Sequence, residues 1–193
     1  MAVARTGILG GVFDPPHLGH LRLGRSAIAE LGLDHLIFLV VADPGHKATT
    51  TPAETRLALA RLAFEDVPEA TVELDPHART VDSLEDRLPH DAVFVLGADE
   101  LASFESWKSP KRVLELVRLA VAIRPGVSRP ELETVRRRLG AGEERIVEFE
   151  MTPVDVASSE IRARVARGEP IDDLVPPQVA DAVARLGLYA TPE

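Results

Sequence analysis

The chain contains no cysteine, which excludes disulfide staples, thiolate metal sites and cysteine nucleophiles. Aromatic residues make up only 4% of it, so the core must be built mainly from aliphatic side chains. No apolar run approaches the length that spans a bilayer, and Met1 to Thr6 leads into an apolar segment without the tripartite pattern of a secretory signal. A soluble, cytoplasmic protein is expected. Lysine is scarce, with Lys47, Lys108 and Lys111 the only three. The formal charge of -9 argues against sequence-independent nucleic-acid binding, which depends on neutralising many phosphates.

What is present is an ordinary globular composition, 45% hydrophobic and 27% charged over 193 residues, enough for one domain with a continuous core. Apolar runs bounded by turn residues fall at Gly7 to Val12, Leu36 to Val41, Thr71 to Leu74, Ala92 to Leu96, Leu119 to Ile123 and Arg145 to Phe149, and read as strands. Helical spacing lies between them: Leu21, Gly24, Ile28 and Leu31; then Leu57, Ala60 and Phe64; then Leu132, Val135 and Leu139. This alternation predicts a Rossmann-like, doubly wound α/β fold, with a mainly parallel sheet covered by helices on both faces. Ligands are expected beyond the carboxyl ends of the strands where strand order reverses. From about residue 151 onward the pattern becomes a small helical subregion, with helices at Ser158 to Ala166 and Gln178 to Leu186 around a turn-rich loop. The basic triplet Arg136 to Arg138 is most simply a solvated helix face.

The most informative stretch, Gly10-Gly11-Val12-Phe13-Asp14-Pro15-Pro16-His17-Leu18-Gly19-His20, runs from the end of the first strand into a helix. Paired glycines let the backbone approach a ligand, and a helix start offers free N–H groups and a positive dipole end to an anion. His17 and His20, three positions apart, project from one side of the first turn and are suited to donate to one phosphate chain. A pair of surface histidines is the plainer alternative for an isolated H-x-x-H. A zinc site lacks completing ligands.

This segment resembles the G-G-T-F-D-P-x-H-x-G-H signature of the nicotinate and nicotinamide mononucleotide adenylyltransferases, within the HxGH nucleotidyltransferase superfamily, with Val12 in place of the customary threonine. Other segments resemble that family in the expected order. Asp43-Pro44-Gly45-His46-Lys47 is similar to its P-P-H-K loop, whose lysine meets ATP phosphates. Gly97-Ala98-Asp99 is similar to its G-A-D element near the ribose, with a helix N-cap at Asp99 as the structural alternative. Thr80-Val81-Asp82-Ser83-Leu84 partly matches S-Y-T-x-D-T-L, with Ala78 and Arg79 where serine and tyrosine are usual. Trp107, the only tryptophan, stands where the family stacks a tryptophan on the acceptor's pyridine ring. Ala157-Ser158-Ser159-Glu160-Ile161-Arg162 is similar to S-S-T-x-I-R, a second anion site at a helix start.

The resemblance implies an adenylyltransferase in NAD biosynthesis that moves AMP from ATP to nicotinate mononucleotide. His17, His20, Lys47 and Arg162 would hold the phosphate chain. Gly10, Gly11, Phe13, Gly97, Asp99, Ser158 and Ser159 would complete the ATP site, and Thr80, Trp107 and Lys108 would meet the acceptor; Arg79, a departure from the family pattern, would attract the acceptor's carboxylate or else signal a different acceptor. It also implies Mg2+ carried mainly on the ATP phosphates, with no dedicated protein metal cage. Transfer to another phosphate such as phosphopantetheine or glycerol phosphate, and a nucleotide sensor without turnover, are the rival readings. A hydride-transferring enzyme is disfavoured because G-x-G-x-x-G does not follow the first strand. The sequence leaves a homo-oligomer open.

Overall fold

A computed structural model describes residues 5–45, 49, 51–87, 92–123, 130–152 and 154–190. Six strands, β1 Thr6–Gly11, β2 His35–Val41, β3 Ala70–Asp75, β4 Val93–Gly97, β5 Arg118–Ile123 and β6 Ile146–Glu150, form one sheet in the order β3-β2-β1-β4-β5-β6. Every pairing is parallel. The expected fold class is therefore the observed one.

Strand residues divide by alternation between two apolar layers. Leu9, Phe38, Val40, Val95, Ala120 and Ala122 face one layer, where α1 Leu18–Leu31, α2 Ala53–Phe64, α7 Ser158–Ala166 and α8 Pro177–Leu186 pack. Ile8, Leu39, Phe94, Leu96, Leu119 and Val121 face the other, covered by α3 Thr80–Arg87, α4 Ala98–Ser103, α5 Pro110–Leu116 and α6 Pro130–Leu139. The buried stripe of α1 is Leu23, Gly24 and Ala27, rotated slightly from the expected one, with Leu21, Ile28 and Leu31 half-buried at its margins. Gly24 decides how closely α1 approaches the sheet, since a Cβ there would come within 2.5 Å of the Phe38 ring.

Two helical regions were not apparent from periodicity. Thr80–Arg87 is a helix, and residues 98–116 form α4, a 3-10 turn at Phe104–Ser106 and α5. Each piece is only two turns or less, too short for an apolar stripe to repeat. Among the described residues no helix is long and apolar enough to cross a membrane.

Strand order reverses between β1 and β4. β1 pairs with β2 along its whole length, but with β4 only at Gly7–Val93 and Ile8–Phe94. Beyond those pairs the two strands are not laced together, and a cleft opens at their carboxyl ends, as expected at a topological switch point.

Candidate active site

The first side of the site is the connection from β1 to α1. Phe13 takes a left-handed backbone conformation, φ 52, which costs a non-glycine residue roughly 1–2 kcal/mol. Its ring is 1% exposed and stands edge-on to Phe38, Phe64 and His20, a burial worth roughly 2–3 kcal/mol, so the turn is held from beneath. Phe13 was expected to line the nucleotide. Its ring faces the core, where His20, Phe38 and Phe64 surround it, and so supports the loop from beneath.

His17 is the N-cap position of α1, and its backbone N–H donates to His20 Nδ1 at 3.2 Å. That bond requires an unprotonated Nδ1, so a neutral His20 carries its proton on Nε2. The two rings stack at 3.7 Å. Burial pushes His17 down to about 4, so this ring is neutral near pH 7, and its buried Nδ1 has no hydrogen-bond partner among the described residues. Gly19 is needed for close approach: a Cβ there would lie 3.0 Å from His17 Nδ1 and 3.1 Å from Val156.

α7 closes on the same loop. Arg162 Nη1 donates to the Asp14 carbonyl at 2.6 Å, and Ser158 Oγ donates to the Pro15 carbonyl at 2.9 Å. His17, His20, Ser158 and Arg162 are therefore brought to one loop from sequence positions more than a hundred residues apart. Ser159, beside them in the first turn of α7, is exposed. Lys47, expected to complete the cationic set, lies outside the described residues, as does the side chain of Asp99. The N-cap of α4, the structural alternative raised for Asp99, is instead Gly97, whose N–H donates to Glu100 Oε2 at 2.7 Å.

The second side is a cleft of about 640 Å³ bordered by Gly10, Gly11 and Val12 of β1 and its loop and by Phe94 and Leu96 of β4. All four residues expected to meet the acceptor, Arg79, Thr80, Trp107 and Lys108, line it. Trp107 is fixed edge-on to Phe104 and Phe94, at 5.2 Å and 6.1 Å, and its indole N–H lies 3.4 Å from Ser103 Oγ. Lys108 Nζ is held by both Asp82 oxygens at 2.7 Å and 2.9 Å, so most of its charge is already matched. Arg79 is exposed at the cleft, and among the described residues its guanidinium has no acidic partner.

Sequence reasoning missed several residues. Asp75 and His77, at the end of β3, also line the cleft, and Asp75 Oδ1 accepts the His77 N–H at 3.1 Å. The rule that places ligands at strand ends points to this location without identifying the side chains. Arg56, 1% exposed on α2, donates to the carbonyls of Val12, Val41 and Ala42, each at 2.8 Å, and of Thr51 at 3.1 Å. It stitches the carboxyl ends of β1 and β2 together. Burial lowers its proton affinity, while Asp14 and Tyr189 act in the opposite sense. A charged residue inside the otherwise apolar face of Leu57, Ala60 and Phe64 was the one signal available.

A family profile described as cytidylyltransferase-like matches residues 8–164, from β1 through most of α7. Relatives match at full length. The chain is 37% identical to a protein of Thermomicrobium roseum described as a probable nicotinate-nucleotide adenylyltransferase, over 99% of this chain and 94% of that one. It is 38% identical to a protein of Bordetella petrii with the same description, over 96% and 98%. The chain belongs to the nicotinate-nucleotide adenylyltransferase family. Its fold is also that of the Plasmodium falciparum nicotinic acid mononucleotide adenylyltransferase solved in complex with NaAD, with a TM-score of 0.77 at 16% identity, covering 97% of this chain and 98% of that one. Gly10-Gly11 thus lies between the loop that carries His17 and His20 and a cleft lined by Trp107 and Arg79.

Proposed function

We propose that this chain, as one nucleotidyltransferase domain, transfers AMP from ATP to nicotinate mononucleotide, giving nicotinate adenine dinucleotide and pyrophosphate. The observation that carries the reading is the placement of Trp107 and Arg79 in a cleft that opens at the β1–β4 reversal, directly beside the loop bearing His17 and His20. An indole edge-locked by two phenylalanines presents a face to a flat heteroaromatic ring. The Arg79 guanidinium nearby, without an acidic partner among the described residues, suits a carboxylate better than an amide. The names of the full-length relatives agree with this choice.

The acceptor phosphate is the nucleophile. Its second pKa of about 6 leaves it largely ionised near neutrality, so no general base is required. One of its oxygens forms a bond to the α-phosphorus while the bond from that phosphorus to the bridging oxygen of pyrophosphate breaks, with charge accumulating on the departing group. His20, through Nε2–H, and Arg162 supply donors to that charge, and the α7 start with Ser158 and Ser159 adds further ones. Lys47 belongs to the same set by its motif. Among the described residues no group of three or more histidine and acidic side chains is arranged to hold a metal. An Mg2+ ion brought in on the ATP phosphates would offset their charge when bound.

The test is pyrophosphate release from ATP and magnesium against nicotinate mononucleotide, nicotinamide mononucleotide, phosphopantetheine and glycerol phosphate. The highest kcat/KM is expected with nicotinate mononucleotide. A different preferred acceptor, or ATP binding without pyrophosphate from any of the four, refutes the assignment.

A further inference from the structure

The only tyrosine of the chain, Tyr189, is held in an unusual place. α8 ends at Gly187 with φ 60, the Leu188 N–H returns to the Val183 carbonyl at 3.1 Å, and Tyr189 follows in a left-handed conformation, φ 65. Such a backbone costs a tyrosine roughly 1–2 kcal/mol and persists only where surrounding contacts fix it. Here the ring packs against the apolar layer that contains α8. Its hydroxyl donates to Asp14 Oδ1 at 2.7 Å, across 175 positions of sequence.

Asp14 is the hub of this arrangement. It is 5% exposed, and its other oxygen accepts from Thr49 Oγ1 at 2.6 Å. Its carbonyl is the acceptor of the Arg162 guanidinium. The Tyr189 hydroxyl also bonds the Thr51 side chain, and burial and then Asp14 hold its proton well above the usual phenol range. The phenol therefore remains a donor at any working pH.

We propose that Tyr189 is a positioning residue for ATP. By clamping the Asp14 carboxylate, it fixes the loop bearing His17 and His20 against Thr49 and Thr51 on one side and Arg162 on the other. This inference rests on the assignment of the phosphate chain to that loop. Without the hydroxyl, Asp14 loses one of the two side-chain donors it has among the described residues and is free to rotate, which loosens the turn whose carbonyl Arg162 grips. The cleft around Trp107 shares none of these contacts.

The experiment compares the full-length parent with Tyr189→Phe at a temperature where both unfolding curves are flat. ATP affinity, with magnesium and no acceptor, is read by calorimetry. Binding of nicotinate mononucleotide is read from Trp107 fluorescence. ATP affinity should weaken at least fivefold, as expected for loss of a hydrogen bond to a charged group, with acceptor affinity changed less than twofold. A smaller effect on ATP overturns the proposal, and so does equal weakening of both ligands, which would mark a merely structural role. Thr49→Val cuts Asp14 from the other side and should give the same split. If Tyr189→Phe does not fold, unchanged ATP affinity in Thr49→Val decides against the proposal. A parent that binds ATP but releases no pyrophosphate with nicotinate mononucleotide removes the function proposed above and leaves the ATP comparison intact.

Discussion

Lowering the pH from about 8 to about 5 bears on one buried group in particular, the His17 imidazole, which burial pushes from 6.5 to about 4. The unfolded chain takes up this proton near 6.5 and the folded chain only near 4. Between those values the unfolded state binds more protons, so folding stability falls as the pH falls. The contribution is fully present above 6.5, declines through the window and is exhausted below about 4. Each pH unit inside the window removes about 1.4 kcal/mol, which amounts to about 2 kcal/mol at pH 5 relative to pH 8. In a chain of this size that lowers Tm by about 4–8 °C. Carboxylates also titrate near the lower end, so the measurement is a difference. Parent and His17→Gln are unfolded by calorimetry at both pH values, and the carboxylate contributions common to both cancel. The variant should be less stable than the parent at pH 8, with the gap closing by about 2 kcal/mol at pH 5. A gap that does not change with pH, or an NMR titration that puts the His17 midpoint above about 6, would show that this ring is not desolvated as described.

Replacing His20 by alanine removes the donor whose tautomer the His17 N–H fixes, and kcat for pyrophosphate release should drop on the order of a hundredfold, as for other lost transition-state donors; steady-state kinetics on the folded variant reads this. Trp107→Ala should raise KM for the acceptor by roughly tenfold or more while leaving ATP affinity nearly unchanged, since the indole lines the cleft and not the histidine loop. Binding titrations of each substrate separate the two. Gly19→Ala places a methyl against the His17 ring and Val156, both at about 3 Å, so ATP affinity and Tm should fall together; a variant with parental ATP affinity would mean the ring has room to move.

Much of this architecture is readable in one dimension because the forces that set it are local. The six strands fall within a residue or so of the expected runs because residues such as Leu119 to Ile123 must fill both apolar layers, which leaves an unbroken apolar signal. The α1 entry is legible for a similar reason, since Gly10-Gly11, two prolines and two histidines each answer a nearby backbone requirement. Composition hides pieces such as α3, with Asp82, Glu85 and Asp86 in a two-turn helix whose buried face is only Val81, Ser83 and Leu84.

The contacts that lock the site are different in kind. Phe13 stands in the motif, yet three aromatic rings from three other elements, His20 of α1, Phe38 of β2 and Phe64 of α2, claim its side chain. Nothing adjacent to Arg56 in sequence announces that it will bridge Val12 and Ala42, because its acceptors are backbone carbonyls, which every residue has. The same holds for Tyr189 and Asp14. A carboxylate in a loop and a phenol after a helix are individually unremarked, and only the closure of α8 onto the α1 entry makes them partners. A phosphate-holding loop must be preorganised to act on charge that appears only in the transition state. In this fold the loop that carries His17 and His20 is held from elsewhere in the chain, by Arg56 through the Val12 carbonyl and by Tyr189 through the Asp14 carboxylate.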